Sequence, residues 1–301
     1  MRAFLTGGTG LVGRALVHAL VARGDSATVL SRRSAAAAWP GVAMIHGDPT
    51  EPGPWQDAVA GHDAVVNLAG ERIVDPPQRW TASRKEQMRR SRIDTTRNLV
   101  MAIRRAKQPP GVLVSGSAVG IYGDCGDAEL AEEDPAGNDY LARLAADWEA
   151  AAREAEPVTR VVSPRFGLVL SAEGGALPPM LWPFRLSLGG SLGSGKQWWS
   201  WIHLHDAVSL LLFTIDRGLR GAVNATAPQP VTAREFARTL GKTLRRPAAL
   251  AVPAWALRLA LGEAADALLF SQRVLPRRAL HAGFQFRFTT LEDGLLEAVD
   301  G

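Results

Sequence analysis

Three observations predict an α/β fold organised as a doubly wound parallel sheet. Short β-rich runs alternate with helical patterns through the first half of the chain. Those runs are apolar without alternation, which implies a sheet covered on both faces. A glycine-rich turn joins the first run to the first helix. With 301 residues the chain can hold such a domain and a smaller, mainly helical C-terminal domain as well.

The elements follow in order. "RAFLT" is the first strand, and the helix after it runs from about Leu11 to Arg23. "ATVLS", "VAMIH" and "DAVVNLA" are the next three strands. A long amphipathic helix covers roughly Thr81 to Ala106 and leads into the strand "GVLVSG". The "DYLARLAADWEAAAREAE" helix then leads into "TRVVSPRFGLVL". Right-handed crossovers wind these units into one sheet.

Beyond Leu170 the texture changes to a segment rich in Gly, Pro and Trp, suited to a lid over a site. A helix from about Asp206 and the strand "GAVNATA" return to the core. From "PQPVTAREF" onward the chain is helical and punctuated by proline, with Thr232 and Glu235 as a capping box. The expected division is a Rossmann-type domain over residues 1–170, rejoined by 200–227, and a substrate or lid domain over 171–199 and 228–301.

Composition narrows the function. Lys+Arg total 34 and Asp+Glu 30, a net charge of +4 with no long block of one sign, which argues against nucleic acid as a partner. Cys125 is the only cysteine, so an intrachain disulfide and a thiolate metal cluster are both excluded. "AVSLLLFTI" and "LAVPAWALRLAL" are too short or too interrupted to span a bilayer. No secretory signal precedes "MRAFLTGGTG", and a cytoplasmic location is expected. "HLHD" lacks a third ligand at a metal-binding spacing, so no metal is expected.

"LTGGTGLVGRAL" is the motif that carries chemistry. Gly7 permits the tight turn, Gly10 lets backbone N–H groups approach a pyrophosphate, and Gly13 lets the helix pack closely on the strand. Thr9, Leu11 and Val12 belong to the same turn. At the end of the second strand an NAD site wants a carboxylate for the ribose 2′-OH. The chain instead has Ser31, Arg32 and Arg33, and a guanidinium favours a 2′-phosphate, hence NADP(H).

"TGGTGLVG", "NLAG", "SGSAVGIYG" and "WIHLHDAV" together resemble the extended short-chain dehydrogenase/reductase superfamily, of the NAD-dependent epimerase/dehydratase type. "GGALPPMLWPFRLSLGGSLGSGKQWWSWIH" and the tail "QRVLPRRALHAGFQF" are similar to its atypical, nucleoside-diphosphate-sugar epimerase-like branch. The resemblance implies an NADP(H) site and a small-molecule substrate; a homodimer is one assembly open to it. It puts Asp48 beside the adenine, and Leu68, Ala69, Gly70 and Glu71 along the cofactor, Glu71 toward the nicotinamide ribose. It puts Pro164 and Arg165 in a turn near the nicotinamide, and gives Asp206 a structural, helix-capping part. Ser117 or Ser115 supplies the catalytic hydroxyl, and Tyr140 stands at the proton-transfer position.

The family pattern then breaks. Active members carry a lysine four residues after the tyrosine, and this chain has Leu144. Its four lysines are Lys85, Lys107, Lys196 and Lys242, so no local shift restores the pair. Arg143 on the same helical face is one substitute cation, and a neutral Tyr140 that only donates is another solution. The reading is therefore an NADP(H)-dependent oxidoreductase or epimerase-like enzyme acting on an alcohol or carbonyl of a small polar molecule. The competing readings are a silent NADP(H)-binding sensor and a true nucleotide-sugar epimerase.

Overall fold

The structure, a computed structural model, describes residues 1–33, 40–75 and 78–300. Among the described residues the central sheet has eight strands, seven of them in one path: β1 (Arg2–Thr6), β2 (Ser26–Ser31), β3 (Val42–His46), β4 (Ala64–Asn67), β5 (Val112–Ser115), β6 (Arg160–Phe166) and β7 (Gly221–Ala225). Their order is β7-β6-β5-β4-β1-β2-β3, and every pair is parallel. The winding reverses between β1 and β4, where a crevice opens at the carboxyl ends of the strands. Thr6 pairs with Asn67 and Asn67 with Ser115, so three polar side chains stand abreast beneath that crevice.

Side chains alternate across the sheet. Leu5, Val29, Val66 and Val114 face helix α1 (Leu11–Ala22) and a helix we label α5 (Leu204–Asp216), meeting Leu16, Leu20, Leu210 and Leu211. Phe4, Val65, Leu113 and Val161 face the opposite way onto Trp55, Leu99 and Ile103. The latter two belong to α2 (Ala82–Arg105), which packs against α3 (Tyr140–Arg153). Each such fully buried side chain contributes about 1.5–3 kcal/mol of hydrophobic stabilisation. Both faces being covered explains why the strands read as unbroken apolar runs.

The expected single strand over "TRVVSPRFGLVL" is two. At Gly167 the chain leaves the sheet, and Leu168–Leu170 pairs instead with Trp201–His203. A Cβ on Gly167 would lie 2.4 Å from the Ser200 carbonyl oxygen, so only glycine permits the crossing. Pro164 lies inside β6, an uncommon place for a residue without an N–H. It sits where β6 changes neighbours, from Val112–Val114 of β5 to the two-residue strand Ser117–Ala118.

A second core joins Leu170, Leu177, Leu181, Phe184, Trp201, Phe236, Leu240 and Leu295. It draws on α4 (Leu177–Arg185), α6 (Ala233–Thr243) and the last helix, Leu291–Asp300. Gly294 lets that helix close onto the Trp201 ring, since a Cβ there would come within 2.8 Å of it. Asp206 clasps the tail: its carboxylate accepts from the Arg287 and Phe288 amides at 3.0 and 2.9 Å. Among the described residues, no helix is long and apolar enough to cross a membrane.

Candidate cofactor and active site

The glycine turn is built for close approach. Gly7 has φ +71°, and a Cβ on it would meet the Leu68 carbonyl carbon at 2.5 Å. A Cβ on Gly13 would lie 2.2 Å from the Gly7 oxygen, so α1 touches the strand-to-helix turn directly. Gly10 caps α1 with no side-chain acceptor and no acid in the first turn. Elsewhere α2, α3 and α6 are capped by Thr81, Asp139 and Thr232. Thr9 and Gly10 are exposed at the crevice, with Leu11 and Val12 half-buried behind them. The unneutralised helix end and the glycine-lined loop suit a phosphate. No acidic or bulky side chain of the turn occupies that place.

At the end of β2, buried Ser31 accepts the Arg33 amide at 3.1 Å, and the exposed Arg32 projects outward. The Arg32 guanidinium reaches Glu71 at 3.5 Å, and Glu71 also meets Arg84 at 3.3 Å. Glu71, expected along the cofactor toward the nicotinamide ribose, turns its carboxylate to these two cations at the β2 end of the groove. Asp48 folds back on its own loop, accepting the Thr50 amide at 2.9 Å and the Thr50 hydroxyl at 2.8 Å. Leu68 donates its amide to the Thr6 carbonyl at 3.0 Å, and Ala69 to the Asn67 side chain at 3.3 Å. Gly70 is exposed, and a Cβ on it would touch the Arg92 guanidinium at 3.1 Å.

The two serines are engaged within the fold. Ser115 accepts from Asn67 at 3.4 Å, in a buried set where Asn67 also meets Thr6 and Thr96. Ser117 donates to Glu149 at 2.7 Å. Glu149 is held in turn by Arg165, at 2.8 and 3.0 Å, and Arg165 donates to the Tyr122 hydroxyl at 2.8 Å. Pro164 and Arg165, expected in a turn near the nicotinamide, thus lie within β6, where Arg165 forms a buried ion pair. Burial works against the Arg165 charge, and Glu149 outweighs it, so the guanidinium stays protonated. Burial pushes the Tyr122 phenol up to about 12.

Tyr140 opens α3, and its hydroxyl donates to the Lys85 carbonyl at 3.0 Å. Its ring packs on Trp80 at 5.3 Å between centroids. The Lys85 ammonium lies over the ring, 4.8 Å from its centroid, and pairs with Glu263, so it faces the ring and not the hydroxyl. Leu144 is buried with Met88 and Ile93, filling apolar space. Arg143 donates to the Asn138 carbonyl. Burial raises the Tyr140 phenol above its ordinary value, opposed by the charge of Arg92. Arg92 is buried, held by the Met88 and Glu71 carbonyls at 3.2 and 2.9 Å, and lies 5.2 Å over the Trp148 ring. Burial lowers it to about 10, which leaves it charged at neutral pH.

Glu149, Arg92 and Arg84 were not singled out from the sequence. Two of them carried a signal. Glu149 falls in the apolar stripe of Ala145, Trp148 and Ala152, and Arg92 shares a face with Met88 and Leu99. A charge inside an apolar helical stripe marks a buried ion pair or a pocket. Trp201 donates to the Gln229 carbonyl, Trp198 to Asp127 and Trp199 to the Leu268 carbonyl. A surface hollow of about 400 Å³, lined by Pro109, Gly111, Arg160 and Arg220, lies at the amino ends of the strands, opposite the crevice.

A doubly wound sheet with a glycine-lined turn at its switch point defines a dinucleotide-binding class of protein. Within that class, residues 3–225 match the NAD dependent epimerase/dehydratase family, and the chain belongs to it. Residues 252–298 match a domain of unknown function, DUF1731. The chain is similar to human epimerase family protein SDR39U1 (isoform 2), whose crystal structure holds NADPH. That likeness has a TM-score of 0.90 and 38% identity, and covers 100% of both chains. The chloroplastic SDR39U1 homolog of Arabidopsis thaliana is 40% identical over 305 residues, 98% of this chain and 86% of the relative. A nucleoside-diphosphate sugar epimerase from Corynebacterium glutamicum superposes with a TM-score of 0.80 at 32% identity, covering 99% of this chain and 58% of that one.

Proposed function

We propose that this chain binds NADP(H) and acts as an oxidoreductase or epimerase-like enzyme on an alcohol or carbonyl of a small molecule. The carrying observation is the uncapped α1 terminus, seated on a glycine turn that a single Cβ would fill. The residues fit the cofactor. Gly7, Thr9, Gly10, Leu11, Val12 and Gly13 would hold the pyrophosphate, Ser31, Arg32 and Arg33 the 2′-phosphate, and Leu68, Ala69 and Gly70 the stretch between. When bound, the cofactor supplies or accepts a hydride at its nicotinamide. NADPH in the human relative supports this choice.

The chain's own contribution is electrostatic. Tyr140 is held protonated by burial, so it serves as a donor to a carbonyl oxygen, not as a base. To do so it exchanges the Lys85 carbonyl for the substrate. Ser117 spends its proton on Glu149 and offers only lone pairs, which suits acceptance from a hydroxyl. These two commitments favour one competing reading, a protein that holds NADP(H) without turnover. Strict epimerisation needs efficient proton transfer and is disfavoured by Leu144.

The test combines calorimetry with turnover. NADPH should release heat and raise the melting temperature, and NADPH absorbance should fall with some member of a carbonyl panel. Tight binding with no turnover, unchanged in Tyr140→Phe, would establish the silent protein instead. One relative is chloroplastic by name, and a cytoplasmic site for this chain is a proposal for imaging. A homodimer is a proposal for light scattering.

A further inference from the structure

The window that chooses between coenzymes, Ser31 to Arg33, contains no acid. The fold brings one there from the loop that follows β4. Glu71 Oε1 lies 3.5 Å from Arg32 Nη2, and Oε2 lies 3.3 Å from Arg84 Nη1. Arg32 follows β2 and Arg84 stands in the first turn of α2, so the carboxylate bridges two walls of the groove. Its backbone is fixed on both sides. The Glu71 amide donates to Ser91 Oγ at 3.0 Å, and its carbonyl accepts from Arg92 at 2.9 Å.

We propose that Glu71 is a specificity-determining residue whose carboxylate competes with the ribose 2′-phosphate of NADP(H) for Arg32. The inference rests on the NADP(H) reading above. With Glu71 in place, Arg32 is already partly neutralised, and a phosphate dianion must displace the carboxylate and then tolerate it nearby. NAD(H) presents a hydroxyl at that point, which a carboxylate accepts from favourably. One charge therefore pulls the two coenzymes in opposite directions. Arg84 shares the carboxylate and so limits its hold on Arg32.

The experiment titrates NADPH and NADH, by nicotinamide fluorescence, into the full chain and into Glu71→Gln, Arg32→Ala and the double variant. Glu71→Gln should bind NADPH about three- to tenfold more tightly, with NADH unchanged or weaker. In the Arg32→Ala background that gain should shrink to the direct carboxylate–phosphate repulsion, because competition for the guanidinium belongs to the pair. Glu71→Asp keeps the charge on a shorter stem and should fall between wild type and Glu71→Gln, which keeps the test decisive if the glutamine variant melts early. Equal weakening of both coenzymes, no change, or a gain undiminished without Arg32 would overturn the proposal. A wild-type chain that binds neither coenzyme would instead remove the NADP(H) reading itself.

Discussion

Ser117 donates its hydroxyl proton to Glu149 at 2.7 Å, and Glu149 is pinned by Arg165 on the neighbouring strand. The pair is nearly closed to solvent, at 4% and 9% side-chain exposure. Replacing one partner leaves the other charge buried and uncompensated. Glu149→Ala should lower unfolding free energy by about 3–5 kcal/mol, measured by urea denaturation. A loss under 1 kcal/mol would mean that water reaches the pair and that Ser117 is freer than its contacts imply.

Tyr140→Phe removes the hydrogen bond to the Lys85 carbonyl but keeps the ring on Trp80. Stability should fall by about 1 kcal/mol, and NADPH affinity should hold. If Tyr140 is the donor, turnover of any substrate found should drop about 10²- to 10⁴-fold. Full turnover in the phenylalanine variant would assign the tyrosine to packing.

Gly13→Ala tests the cradle. Its Cβ would sit 2.2 Å from the Gly7 oxygen, so helix and turn must separate. We expect a loss of about 1–3 kcal/mol in stability, and the melting-temperature gain from NADPH should disappear. Retained stabilisation by NADPH would place the cofactor elsewhere.

The chain has two tyrosines, and burial raises both phenols above the ordinary value of 10.0, Tyr122 to about 12. A folded pKa above the unfolded one supplies stability that is fully present below pH 10 and lost as pH rises toward 12. Ultraviolet titration of the folded protein should therefore show both phenolates forming above the ordinary range, Tyr122 at about 12, and Tyr122→Phe should flatten the alkaline fall in stability. A normal inflection near pH 10 would contradict the burial of both rings.

Sequence alone determined most of the strand runs, the crossovers and the glycine turn of this protein, but not the break at Gly167. Apolar periodicity and the left-handed φ of Gly7 depend on near neighbours, and α1 runs Leu11–Ala22 against the expected Leu11 to Arg23. The absence of lysine after Tyr140 was equally plain, because it is a fact of composition. Tertiary structure decided what each polar group faces. Glu71 reaches Arg32, Glu149 takes the Ser117 proton, and the Tyr140 hydroxyl meets the Lys85 carbonyl. These partners come from different strands and helices, and their meeting is set by how α2 and α3 pack on the sheet. Side-chain charge is written in the sequence, but its nearest counter-charge follows from packing across tens of residues. For that reason a loop with no acid in its own window still carries one in space.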